Sequence, residues 1–236
     1  MHYHGTPITP RERLYELAGR CFCVSFAEPR DVEVVHRIGQ SVMLDNGAFT
    51  FWRQGDADPR NVPDWEAYFD WVEPWLDFPT TWAVIPDVID GDEEANDRLL
   101  VQWFQRRLPK GAPVWHLHES LDRLRRLAHG YERVCFGSSG DFAQLGTDRW
   151  HRRVSEAFDT VADERGRVPW VHMLRGMAFA GSGYPFASAD SASAARNSAG
   201  SWRQRPRPIA VMVAEADARQ CPARWEHAGT QLEVTA

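Results

Sequence analysis

The chain has 236 residues, with 27 basic against 33 acidic side chains, a formal net charge of −6, and 43% hydrophobic, 12% aromatic and 25% charged residues. This balance excludes a disordered tail protein, a collagen-like repeat and a disulfide knot, and the length suits one large barrel burying about three quarters of the unfolded surface. An acidic chain still accommodates a nucleic-acid partner, because phosphate contacts depend on a local patch, but it disfavours a long non-specific binder.

In chain order, the first 19 residues carry Arg11, Glu12, Arg13 and Glu16 where a signal peptide needs an apolar segment. The longest apolar runs are strand-sized, so a cytoplasmic protein with no membrane partner is expected. Thr9-Pro10-Arg11-Glu12 has the form of a capping box with proline at the first helical position. Residues 22–26 read as a strand; Cys21 and Cys23 alternate there and so share one face as reduced small hydrophobes. A strand at 41–44 precedes a helix that Asp64 caps, with Trp65, Tyr68, Phe69, Val72, Trp75 and Leu76 on one stripe and Pro74 near its end. Next come a strand at 81–85 and a helical stripe of Leu99, Leu100, Trp103 and Phe104. Lys110, the only lysine, lies in a Pro/Gly turn, which removes lysine-base chemistry elsewhere.

A strand at 113–117 leads to a helix capped by Ser120, carrying Leu121, Leu124 and Leu127 and ended by Gly130. After a strand at 133–136, Asp148 is expected to cap a helix with Trp150, Val154, Ala157, Phe158 and Val161 facing inward. Strands at 170–174, 186–189 and 208–213 complete the series. Eight strands interleaved with helices predict an α/β fold, a (β/α)8 barrel in a single domain over 1–236, with a doubly wound sheet as the runner-up.

Polar residues recur where these runs end: Asp45, Asp87, His118 with Glu119, Ser138 with Ser139, Arg175 and Asp190. In a parallel barrel those ends open on one face, so the groups are expected to converge on one pocket. Three carboxylates point to acid/base and nucleophilic chemistry such as glycosyl transfer by double displacement, because a carboxylate can trap an oxocarbenium-like centre and later leave. His116 and His118, spaced i, i+2 on a strand, keep a metal-dependent hydrolase open.

Leu44-Asp45-Asn46-Gly47-Ala48-Phe49 resembles the Asp-Ser-Gly-Gly-Phe motif of tRNA-guanine transglycosylases, and Ile85-Pro86-Asp87 their base-reading aspartate. Phe136-Gly137-Ser138-Ser139-Gly140-Asp141 is similar to their base-binding loop, and Val171-His172-Met173-Leu174-Arg175-Gly176 to the strand that follows. The segment from Ala189-Asp190-Ser191 to Arg196-Asn197 is similar to the one bearing their nucleophilic aspartate. These matches keep family order from about Ser41 to Asn197. The tRNA-acting members carry a Cys-x-Cys-x-x-Cys plus His zinc subdomain, where this chain has only Cys221 and His227, and Asp190-Ser191-x-Ser193 is closer to the DpdA-like DNA 7-deazaguanine transglycosylases of phages and genomic islands.

The resemblance implies exchange of guanine in DNA, or alternatively in tRNA, for a 7-deazaguanine base such as preQ0, with no cofactor; because the zinc-binding quartet is missing, no structural metal is expected. It implies Asp190 as nucleophile, Asp45 as general acid/base and Asp87 as reader of the guanine N1 and amine edge. Asn46, Gly47, Gly137, Ser138 and either His118 or Glu119 would hold the base, and His172 and Met173 would wall the pocket. Arg175, Arg196, Arg203 and Arg205, with Arg207, are candidate phosphate contacts, although a solvated arginine stretch reads equally well. A non-catalytic nucleic-acid-binding subunit is a further rival, and monomer or homodimer stays open.

Overall fold

The computed structural model describes residues 1–55, 63–198 and 207–226. Among them nine strands form one all-parallel sheet: β1 (His2–Gly5), β2 (Cys21–Ser25), β3 (Ser41–Asp45), β4 (Thr81–Val84), β5 (Gly111–Ala112), β6 (Val114–His116), β7 (Arg133–Gly137), β8 (Trp170–Met173) and β9 (Ser188–Ser191). The order is β5-β4-β3-β2-β1-β9-β8-β7-β6. Its two ends, β5 and β6, are separated in the chain by Pro113 alone, so the sheet curls into a nearly closed barrel. Pro113 lacks an N–H to continue a ladder, but its carbonyl still accepts from Cys135 N at 2.8 Å. A doubly wound sheet is thereby ruled out.

Alternation along each strand explains the two layers of core. Tyr3, Cys21, Cys23, Met43, Trp82, Val84, Ala112, Val114 and Cys135 cluster inside the barrel. Their neighbours Phe22, Val24, Val42, Leu44, Ala83 and Ile85 face outward to the helices on one side, and Trp115, Val134, Phe136, Val171 and Met173 do so on the other. All four cysteines are free, and the Cys21/Cys23 alternation is the inward face of β2.

The helices are α1 (Val32–Ile38), α2 (Ala48–Gly55), α3 (Trp65–Val72), α4 (Glu93–Gln105), α5 (Leu121–Gly130), α6 (Asp148–Val161), α7 (Ser193–Asn197) and α8 (Ile209–Asp217). Asp64 and Ser120 cap α3 and α5 as expected, accepting from Ala67 N and Arg123 N at 3.0 and 3.1 Å. Three expectations need correction. Residues 209–217 are helical, not a strand: Ile209 and Val213, one turn apart, are the buried pair, and a short apolar run does not by itself separate helix from strand. The missing strand is β1, which pairs with both β2 and β9. Thr147 rather than Asp148 caps α6, and Thr9 forms no box because Arg11–Leu17 is a 3-10 helix without a side-chain cap. No described helix is long and apolar enough to cross a membrane.

Candidate active site

Asp45 is the last residue of β3, and the chain turns immediately at Gly47, whose φ of 77° is a left-handed conformation that glycine adopts without strain. The turn lets Gly47 N donate to Asp45 Oδ2 at 3.1 Å and Ala48 N donate to Asn46 Oδ1 at 2.8 Å. Asn46 is a strut between two strand ends: its Nδ2 donates to Ile85 O at 2.9 Å and to Asp87 Oδ1 at 2.7 Å. Asp45 as a residue is only partly buried, but its carboxyl is packed about by protein, and its pKa rises from 3.8 to about 7. Desolvation is the main cause and the negative charge of Asp190 the next; Asp87 adds to it and the Gly47 amide opposes it.

Asp190 lies within β9 instead of after it, facing the same interior. Its Oδ1 accepts from Arg175 N at 2.6 Å and lies 3.2 Å from Nε2 of the fully buried His172. Ser188 Oγ, 2.8 Å from His172 Nδ1, accepts from Trp170 Nε1 at 3.0 Å. Because a carboxylate only accepts, the His172 Nε2–H donates to Asp190, and the neutral ring then accepts from the Ser188 hydroxyl at Nδ1 while Ser188 Oγ accepts from Trp170. Asp190 Oδ2 has no hydrogen bond among the described residues.

Asp87 is buried and uses both oxygens: Oδ1 takes the Asn46 amide, and Oδ2 lies 2.9 Å from His116 Nε2. His116 Nδ1 is buried with no hydrogen-bond partner among the described residues, and a Cβ on Gly137 would lie only 2.7 Å away, so glycine suits the position beside it. His118 stacks on His116 with centroids 5.5 Å apart, its Nδ1 3.2 Å from Ser139 Oγ and its Nε2 3.2 Å from Gly91 O. The Ser138 hydroxyl accepts from Trp150 Nε1 at 3.0 Å, and its carbonyl accepts from Arg175 Nη2 at 2.8 Å.

Several candidate residues sit elsewhere than expected. Glu119 points into the β6–α5 junction, accepting from Arg123 Nη1 at 2.6 Å, Asn96 Nδ2 at 2.9 Å and His116 N at 2.9 Å, so it braces the loop and does not offer itself to a base. Met173 packs in the helix-facing core because it alternates with the inward His172, so it is no pocket wall. Arg175, at φ 57°, lays its guanidinium 3.7 Å from the centroid of Phe49 and feels the charges of Asp190 and Asp45, so it caps the mouth. Arg196 is exposed on α7 with no side-chain partner among the described residues, whereas Arg207 pairs with Glu215 at 2.6 Å. Arg203, Arg205 and His227 lie outside the described residues.

The geometry thus gathers Asp45, Asp87 and Asp190, whose charges all act on the buried Cys135 thiol and, after desolvation, push its pKa up. Sequence reasoning misses His116 as the partner of Asp87, offering it only as a metal ligand, and misses Phe49 as the platform for Arg175. The i, i+2 spacing in His116-Leu117-His118 is the available signal for an inward His116. Among the described residues no three His, Cys, Asp or Glu side chains are grouped to hold a metal ion. Comparison with protein-family models, curated proteins and solved structures finds no match to this chain.

Proposed function

We propose that the chain is a DNA base-exchange transglycosylase that replaces guanine with a 7-deazaguanine base. The observation that carries this reading is a pair of carboxylates in one barrel mouth held in opposite environments. Asp45 is desolvated to a pKa of about 7, whereas Asp190 is tied by two donors at one oxygen and has no hydrogen bond at the other among the described residues. Such a division assigns the proton carrier and the nucleophile. We also read the fold as a (β/α)8 barrel, with β5 and β6 one strand interrupted at Pro113.

The target nucleotide leaves the base stack at a cost of roughly a few kcal/mol. Asp190 Oδ2 attacks C1′, the C1′–N9 bond breaks, and its electron pair leaves on guanine, which takes the Asp45 proton. The DNA is then an ester of Asp190. The incoming base gives its N9 proton to the Asp45 carboxylate and attacks C1′, releasing Asp190 and restoring both groups. Asp87, fixed by Asn46 and His116, retains lone pairs for the N1 and amine protons of guanine, a pattern adenine does not offer.

The test supplies guanine-containing DNA or tRNA together with labelled 7-deazaguanine bases and asks which polymer acquires label. Label in DNA supports the proposal, label in tRNA only transfers the reaction to RNA, and label in neither defeats it. On denaturing gels under acidic quench, Asp190→Ala must lose the protein–DNA adduct.

A further inference from the structure

A cleft of about 510 Å³ opens beside the mouth, lined by Leu117, His118, Asp141, Phe142 and one face of α6. That face is Arg149, Arg152, Arg153 and Glu156, spaced i, i+3, i+4 and i+7, so the side chains project together. Leu117 and His118 follow β6, and Asp141 and Phe142 follow β7, so the cleft lies at the same end of the parallel sheet as Asp45. His118 is its shared wall with the site: the ring stacks on His116, which holds Asp87.

The three arginines do different work. Arg153 is structural, donating to Leu117 O at 2.8 Å, Glu119 O at 2.5 Å and Glu156 at 2.9 Å while its guanidinium lies 5.4 Å from the Trp115 centroid. Arg149 pairs with Asp141, but both side chains are more than half exposed, at 56% and 66%, so solvent screens the pair and an anion can compete for it. Arg152 is exposed and has no side-chain partner among the described residues. The two carboxylates leave the face with one uncompensated positive charge, and that charge is Arg152.

We propose that this cleft is a phosphate subsite for the backbone of the DNA strand being modified, with Arg152 as its primary contact and Arg149 recruited from Asp141. The inference rests on the proposed base exchange: a strand whose nucleotide turns into the mouth must carry its flanking phosphates over the rim. Arg196 on α7 is also exposed without a side-chain partner among the described residues, but of the two only Arg152 lines this cleft, beside Asp87 and His118. The mouth-capping Arg175 is occupied by Phe49 and Ser138.

The test measures fluorescence anisotropy of a labelled guanine-containing DNA strand across a salt series, with wild type, Arg152→Gln, Arg149→Glu/Arg152→Glu, and Arg98→Glu on α4 as control. If the arginines hold phosphates, the double variant should bind about tenfold more weakly at low salt, and the salt slope should shrink by about one for each phosphate no longer neutralised. The control stays near wild type. Arg152→Gln guards against misfolding, since it removes charge from a solvated side chain, and thermal melts verify it. Affinity and slope unchanged in both arginine variants would overturn the subsite, as would a wild type with no DNA affinity. Inorganic phosphate run alone as titrant separates a small-anion site: loss of phosphate binding with DNA affinity intact would also overturn it. A wild type that binds through the cleft but transfers no label removes the reaction and leaves the cleft. One that exchanges bases while the arginine variants bind DNA normally removes the cleft and leaves the reaction.

Discussion

His172 Nε2 lies 3.2 Å from Asp190 Oδ1, and no part of His172 reaches solvent. The imidazole is wedged edge-on against Trp82 at 5.2 Å and Tyr3 at 5.9 Å, so its orientation is set by the barrel interior. Trp82 Nε1 donates to Tyr3 Oη at 2.9 Å, and that oxygen lies 3.0 Å from Ser41 Oγ, which locks the wedge in turn. In the proposed base exchange, an Asp190 nucleophile aimed in this way needs little reorganisation to react.

If the chain catalyses the proposed exchange, His172 acts by positioning Asp190, and His172→Phe should lower kcat by about 10–100-fold while leaving KM for the base nearly unchanged. His172→Gln, which can return an N–H to Asp190, should recover part of the loss. A KM effect without a kcat effect, measured by steady-state base exchange, would mean that the ring contacts the base and does not aim the carboxylate.

Asp45 makes stability depend on pH. Its folded pKa of about 7 lies above the usual 3.8, so the native state binds this proton more tightly than the unfolded chain does. The native state therefore loses stability as pH rises from about 4 to about 7, and carries the full penalty above that. Asp45→Asn should be more stable than wild type by about 1–3 kcal/mol near pH 8, with the gap closing near pH 4. Urea unfolding at the two pH values checks the sign. If Asp45 supplies the proton for the leaving base as proposed, formation of the DNA adduct in wild type should also slow as pH rises through about 7.

Glu119 and Arg123 form an ion pair in which both side chains are 1% exposed. Glu119→Ala takes one of two carboxylates from the buried Arg123, which keeps Asp97 at 2.9 Å, and should cost about 1–3 kcal/mol in chemical denaturation. The fraction that stays folded should exchange bases at near wild-type KM, because the Glu119 carboxylate serves the loop. A selective rise in KM with intact stability would return Glu119 to the binding site.

Gly137→Ala would set a Cβ 2.7 Å from His116 Nδ1 and 3.0 Å from Val114 Cγ1. The ring must move off Asp87, so overpacking should cost about 1–3 kcal/mol, and KM for guanine should rise. Asp87→Ala is expected to give the same KM change, and the double variant should be less than additive, since both act on one interaction.

Much of the architecture is legible in the sequence for a local reason: short apolar runs ended by polar residues mark strands opening on a common face. Asp45 and Asp87 are readable as strand-end residues in this way, and Asp190 less well, since β9 runs on past it to Ser191; the Asp64 and Ser120 caps are readable because their bonds reach only three residues ahead. What local pattern does not contain is direction and partnership. The His2–Gly5 strand is too short and polar to announce itself and exists because β2 and β9 flank it, while the equally strand-like run from Ile209 becomes a helix. Glu119 and His118 are adjacent in sequence, yet one turns to Arg123 and the other to Ser139. The raised pKa of Asp45 depends on burial and on Asp190, which the barrel brings near from far along the chain. Desolvation and Coulomb forces act through space, so the chemistry of the mouth was decided only when the sheet curled toward closure.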